Sequence, residues 1–126
     1  MARLALDPMH AHPAPYVGEA VNDLAFYGWI AQATPGETFV YHRGFLGIDI
    51  TPVMSRFGEP DRQRLLGLAQ AALSAFEAGL VHLVQVRLEP DRFGYLAVAR
   101  RKPAHAPAAL ARLVAATGHA DLAAAA

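Results

Sequence analysis

The sequence predicts a single α+β domain in which helices pack on a small antiparallel sheet. Three observations carry this. Between Asp61 and Ala78 the residues Leu65, Leu68, Ala69, Ala72, Leu73 and Phe76 recur at three- and four-residue spacing, the signature of an amphipathic helix. Directly after it, the β-rich runs Leu80–Leu88 and Phe93–Arg101 flank Glu89-Pro-Asp-Arg92, which predicts a hairpin with a four-residue loop. Upstream, Glu37-Thr-Phe-Val-Tyr-His-Arg43 combines β-branched and aromatic residues and predicts a further strand. A chain of 126 residues is long enough to bury one ordinary core.

The remaining elements follow in order. Residues 1–18 hold Pro8, Pro13, Pro15 and Gly18 without sustained periodicity and are expected to form an extended arm. Glu19–Ala33 carries two apolar stripes, Val21, Leu24, Ala25 and Gly28 on one and Phe26, Trp29, Ile30 and Ala33 on the other, which predicts a helix covered on most sides. Thr34-Pro35-Gly36 stops it. Gly44 and Gly47 are expected to end the strand. Thr51-Pro52 before Val53, Met54 and Phe57 predicts a short helix over Thr51–Phe57, since proline suits a first helical position. Pro60-Asp61 marks the start of the long helix, and Gly79 stands where a left-handed cap is required.

Pairing Leu88 with Phe93 would set Val86 opposite Tyr95, Val84 opposite Ala97 and His82 opposite Ala99. Val84, Val86, Leu88, Phe93 and Tyr95 would then share the face packed on the helix, with Leu73 and Phe76 almost fully buried beneath it. Pro103–Pro107 reads as a linker, and Ala108–Thr117 as a short helix whose Leu110, Leu113 and Val114 need a partner. The expected organisation is an arm (1–18), a domain (19–103), and a linker with a C-terminal helix and Ala-rich tail (104–126).

Helix, strand, short helix, long helix, strand, strand is an order that resembles the winged-helix arrangement, here with an added C-terminal helix. Ala75-Phe-Glu-Ala-Gly-Leu-Val-His82, running into the Leu83–Arg100 hairpin, is similar to the exit of a winged-helix recognition helix and its wing. The resemblance spans about residues 20–101 and implies nucleic-acid binding. It also requires a supporting helix, which only Thr51–Phe57 offers. Gly36-Glu-Thr-Phe-Val-Tyr-His-Arg-Gly-Phe-Leu46, together with the later Gly-Leu-Val-His-Leu-Val-Gln and Tyr-Leu-Ala-Val-Ala-Arg runs, is similar to small uncharacterised proteins of bacteriophages and prophages.

Composition limits the chemistry. The chain has no cysteine, which excludes disulfides, thiolate zinc sites and cysteine nucleophiles and suits a reducing compartment; the cytoplasm is the expected location. Formal net charge is +0, so strong non-specific binding of nucleic acid needs a local cationic patch. Ten arginines and one lysine against 27 alanines point to a GC-rich coding sequence. His10 and His12 lack a third ligand at suitable spacing, and no metal or cofactor is expected. Ser55 and Ser74, the only serines, have no nucleophile-elbow context. Asp49, Glu59 and Asp61 form no acid–base motif, no glycine pattern fits a phosphate loop, and no enzymatic activity is expected. Tyr41, His42 and Arg43 are read as an inward tyrosine beside a histidine and arginine at the strand edge.

The remaining asymmetry is in the hairpin. Arg87, Arg92, Arg100, Arg101 and Lys102 outnumber Glu89 and Asp91 by three. These five are the expected phosphate contacts of a nucleic-acid-binding regulator. The competing expectation is a phage-type protein that binds and inhibits or adapts a host protein, with Arg43, Tyr95 and Arg87 as first anchors, or an assembly subunit. Leu110, Leu113 and Val114 are the expected homodimer contacts.

Overall fold

The computed structural model describes residues 21–90 and 92–118. The expected arm, His10 and His12, and the Ala-rich tail lie outside these residues. The elements are helix α1 (Asp23–Gln32), strand β1 (Thr38–Gly44), helix α2 (Leu46–Asp49), helix α3 (Glu59–Glu77), strands β2 (Val81–Glu89) and β3 (Arg92–Ala99), and helix α4 (Ala106–Ala116). The three strands form an antiparallel sheet in the order β1-β3-β2. The fold is α+β, with α1, α3 and α4 gathered on one face of the sheet.

Each helix has a local cause. In α1, Asn22 Oδ1 accepts from Ala25 N at 2.9 Å and Asp23 adds negative charge to the first turn. Only one of the two expected stripes of α1 is covered: Phe26, Trp29, Ile30 and Ala33 are buried, joined by Tyr27, whereas of the other stripe only Val21 is buried and Leu24, Ala25 and Gly28 are exposed, so the helix is covered on one side rather than on most. Phe26 meets Phe39 edge-on at 5.6 Å and Trp29 lies 5.2 Å from the same ring. Helix α3 starts with Glu59 and Pro60 and ends in a Schellman motif. Gly79 has φ +80°, its amide bonds Phe76 O, and the Leu80 amide bonds Ala75 O. That turn sends the chain straight into β2.

Four expectations need correction. First, the short helix lies at Leu46–Asp49, and 51–58 is non-helical; Arg62 closes this region by donating to Ile50 O at 2.6 Å and to both carboxylate oxygens of Glu59. Second, the hairpin register is one residue off. A bulge between Arg87 and Glu89 leaves Glu89 opposite Arg92 but sets Arg87 opposite Phe93, Gln85 opposite Tyr95, Val84 opposite Leu96 and His82 opposite Val98. The helix-facing side therefore carries Val81, Leu83, Ala97 and Ala99, while Val84 and Val86 point the other way.

Third, Leu73 and Phe76 are 51% and 45% exposed. The side of α3 turned to the core is that of Leu68, Ala71, Ala72 and Ala75, and the three alanines bring helix and sheet close together. Fourth, α4 has its partner within the chain. It packs on α1 and α3, with Ala106 and Ala109 buried and Leu110, Leu113 and Val114 half-buried against the core. Leu110, Leu113 and Val114 thus find cover within their own chain and need no second copy.

Candidate binding surface at the hairpin end of the sheet

Strand β1 departs from strict alternation at a second bulge. Val40 pairs with Leu96 and His42 with Tyr95, which leaves Tyr41 as the extra residue. Phe39, Tyr41 and His42 consequently all turn toward the helical layer. Tyr41 packs beside Phe26 and Tyr95, and burial pushes its phenol up to about 12. His42, expected at the strand edge, is 1% exposed.

His42 forms the centre of a polar lock. Its Nε2 lies 2.7 Å from Asp49 Oδ2, and both side chains are almost wholly buried. Arg56 reaches in from the non-helical segment, with Nε 3.3 Å from Asp49 Oδ1 and a guanidinium nitrogen 3.3 Å from Oδ2; the same nitrogen donates to Arg43 O at 3.0 Å. Burial lowers the His42 pKa, with help from the positive charges of Arg56 and Arg64, against the opposing pull of Asp49. The ring is thus neutral, and because a carboxylate only accepts, Nε2 carries the proton and donates it to Asp49. Phe57 closes over one side of the imidazole at 6.1 Å and Tyr95 over another at 5.9 Å.

Gly44 makes this arrangement possible. Its φ of +139° suits glycine, and a Cβ there would stand 2.5 Å from an Arg56 guanidinium nitrogen and 2.8 Å from Asp49 Oδ2. Tyr95 adds the last tie: its hydroxyl accepts from the Leu46 amide at 3.1 Å, satisfying the first N–H of α2.

Around the lock the surface is apolar. Phe45, Ile48, Val53 and Met54 are 40%, 42%, 102% and 63% exposed. With Arg56 and Arg92, several of them line an open depression of about 400 Å³ whose floor includes Asp49. Phe45 meets Phe93 edge-on at 5.3 Å, and the Arg87 guanidinium lies over the other ring at 5.3 Å, so the apolar group continues onto the hairpin. Val53 holds φ +76°, a left-handed conformation that costs a β-branched residue about 1–3 kcal/mol and persists only where the surroundings impose it.

The residues singled out in the sequence are dispersed. Arg87 and Arg92 lie at the hairpin tip, Arg87 donating to Pro90 O and Arg92 facing Glu89 at 3.7 Å. Arg100, Arg101 and Lys102 follow the far end of β3, about 25 Å away at strand rise, and Lys102 donates to Ala33 O. Arg43 and Tyr95 are half-buried supports of the lock, and Leu110, Leu113 and Val114 belong to the core. Asp49 enters the expectations from the sequence only as a carboxylate beside Glu59 and Asp61, and none of Phe45, Ile48, Val53 and Met54 is among the site residues expected there. Their signal was an apolar run interrupted by glycine and proline, too broken to form one helical or strand face.

Among the described residues no group of three His, Asp or Glu is placed to hold a metal, and no helix is long and apolar enough to cross a membrane. No family model matches this chain, and no curated protein or solved structure is significantly similar to it.

Proposed function

We propose that this chain is a non-enzymatic, winged-helix-like binding domain of phage type that engages a protein partner, a host protein to be inhibited or adapted, through the hairpin end of its sheet. One observation carries the reading: Phe45, Ile48, Val53 and Met54 stand exposed together on a segment anchored by the buried His42–Asp49 pair and the exposed Arg56 that bonds to it. A rigid base beneath exposed apolar side chains lowers the ordering cost of binding. Phenylalanine, methionine and arginine are the residues interfaces favour. The element order and the β1-β3-β2 sheet support the winged-helix resemblance.

The nucleic-acid reading has less support. The five expected phosphate contacts divide between two ends of the hairpin. In the first turns of α3, where a recognition helix would meet base edges, Arg62 is buried against Glu59, and Arg64 donates to Val21 O and faces Asp61. Glu59, Asp61, Gln63, Gln70 and Glu77 are its exposed polar residues.

A photo-crosslinking residue at Met54, with a control at exposed Ala115, tests the proposal in host cells. The expected result is one discrete protein adduct at position 54, insensitive to nuclease and lost in Ile48→Glu. Equal adducts at both positions would overturn the reading. Duplex DNA binding at low salt, with a salt slope that flattens in Arg100→Gln/Arg101→Gln, would replace it with the nucleic-acid function.

A further inference from the structure

A second surface lies along β2 and the flank of α3, away from the proposed binding cluster. Both β1 and β2 are edge strands of the described sheet. Six of the seven β1 residues are buried, whereas in β2 His82, Val84, Gln85, Arg87 and Glu89 are exposed. Strand β2 is nine residues long, Val-His-Leu-Val-Gln-Val-Arg-Leu-Glu, with no proline and no charge before Arg87. The bulge at Leu88 and the charges of Arg87 and Glu89 protect only one end, and the stretch Val81–Val86 is a template for pairing.

The helix above it has a matching flank. On α3, Gly67, Gln70, Ala71 and Ser74 face α1 and α4 across a cavity of about 300 Å³. Leu65, Leu68, Ala72 and Ala75 are buried. At about 100° per residue, Leu66, Ala69, Leu73 and Phe76 fall on the side turned away from α1. That side overlooks the β2 edge, because α3 packs on β2 and is joined to it by the tight Gly79 turn. Leu73 and Phe76 are half exposed there.

We infer that this strip binds a second copy of the chain, with β2 pairing antiparallel to its own copy about a two-fold axis near Gln85 to form one continuous six-stranded sheet. The sequence is compatible with itself in that register. Gln85 meets Gln85, Val84 meets Val86 and Leu83 meets Arg87, so over the regular part of the strand, before the bulge at Leu88, each residue stays on its own face and no like charges oppose one another. The same axis sets the two α3 helices antiparallel over the junction, where Leu66, Leu73 and Phe76 of each copy cover the other's. Such an interface is isologous and closes as a dimer. Six strands in one sheet would also remove the exposed β2 edge from both copies.

The full chain is tested by light scattering and by a disulfide. The wild type is expected to reach twice the 13.5 kDa chain mass with rising concentration, and Leu73→Glu/Phe76→Glu, both at exposed sites, to weaken association at least tenfold with unchanged circular dichroism. In this cysteine-free chain, Gln85→Cys is expected to form an intermolecular disulfide on mild oxidation, since directly opposed strand residues have the Cα separation a disulfide needs, whereas Ala115→Cys is not. A wild type that stays monomeric throughout overturns the inference. So does a dimer that survives Leu73→Glu/Phe76→Glu.

Discussion

Strands β1 and β2 occupy equivalent edges of one sheet, yet they are stabilised in different ways. Strand β1 carries Phe39, Tyr41 and His42 into the helical layer through its bulge, and its burial is nearly complete. Strand β2 alternates, with Val81 and Leu83 inward and His82, Val84 and Val86 outward, and stays half open along its length. The comparison separates a strand held by its own fold from one with surface left open. It also explains why the candidate binding cluster lies beyond the end of β1: a rigid strand gives the exposed 45–54 segment a fixed base.

The sharpest break between the two edges is expected on truncation. Phe39→Ala, which empties the contact with Phe26 and Trp29, should lower stability by about 3–5 kcal/mol in urea denaturation. Val84→Ala, at 38% exposure, should lower it by less than about 1 kcal/mol. Equal losses would dissolve the distinction.

Next in size is Gly44→Ala at the end of β1. A Cβ forced against Arg56 and Asp49 at positive φ is expected to cost about 2–3 kcal/mol, and Arg56→Ala in the same chain to return part of it by removing the nearest atom. Two independent losses that simply add would show that the lock is not what excludes a side chain there.

A smaller effect is expected from pH. His42 titrates below its ordinary value in the folded chain, chiefly because it is buried, so on acidification the unfolded chain takes up this proton first. The stability it contributes is complete above about pH 6.5 and is lost as pH falls from there toward the folded pKa, by at most about 1.4 kcal/mol per unit. His42→Gln should flatten that part of the profile in denaturant titrations at pH 7.5, 6.5 and 5.5. A profile indifferent to His42→Gln would mean the ring is not held neutral.

The smallest effect is expected at Phe76. With 45% exposure, Phe76→Ala should change the unfolding free energy of the dilute monomer by less than about 1 kcal/mol. A loss of 3 kcal/mol would place this ring in the core after all.

Periodicity and punctuation made much of the fold legible. The long helix shows in Leu65, Leu68 and Ala72, its end in Gly79, and the hairpin in two β-rich runs around Pro90, because these signals arise from neighbours three, four or two residues apart. Helix α1 and strand β1 were legible for the same reason. The candidate site was not. His42, Asp49 and Arg56 are seven residues apart in turn and share no helical or strand face. They converge only because Gly44 turns the chain and α2 follows at once.

What the sequence determined by itself is local: which of the longer segments are helix or strand, though not the short helix Leu46–Asp49, where glycine and proline end them, and that no cysteine chemistry is available. What the tertiary structure decided is which side of each element faces inward. The bulges at Tyr41 and Leu88 each shift a strand by one residue, and with a side-chain period of two, a single residue exchanges core for surface. Likewise, α3 presents its alanines to the sheet and leaves Leu73 and Phe76 outside, since close approach to the sheet favours small side chains and the bulk of the core is already supplied by Phe26, Trp29 and Phe39. No pattern within α3 contains that information; it resides in the residues α3 packs against.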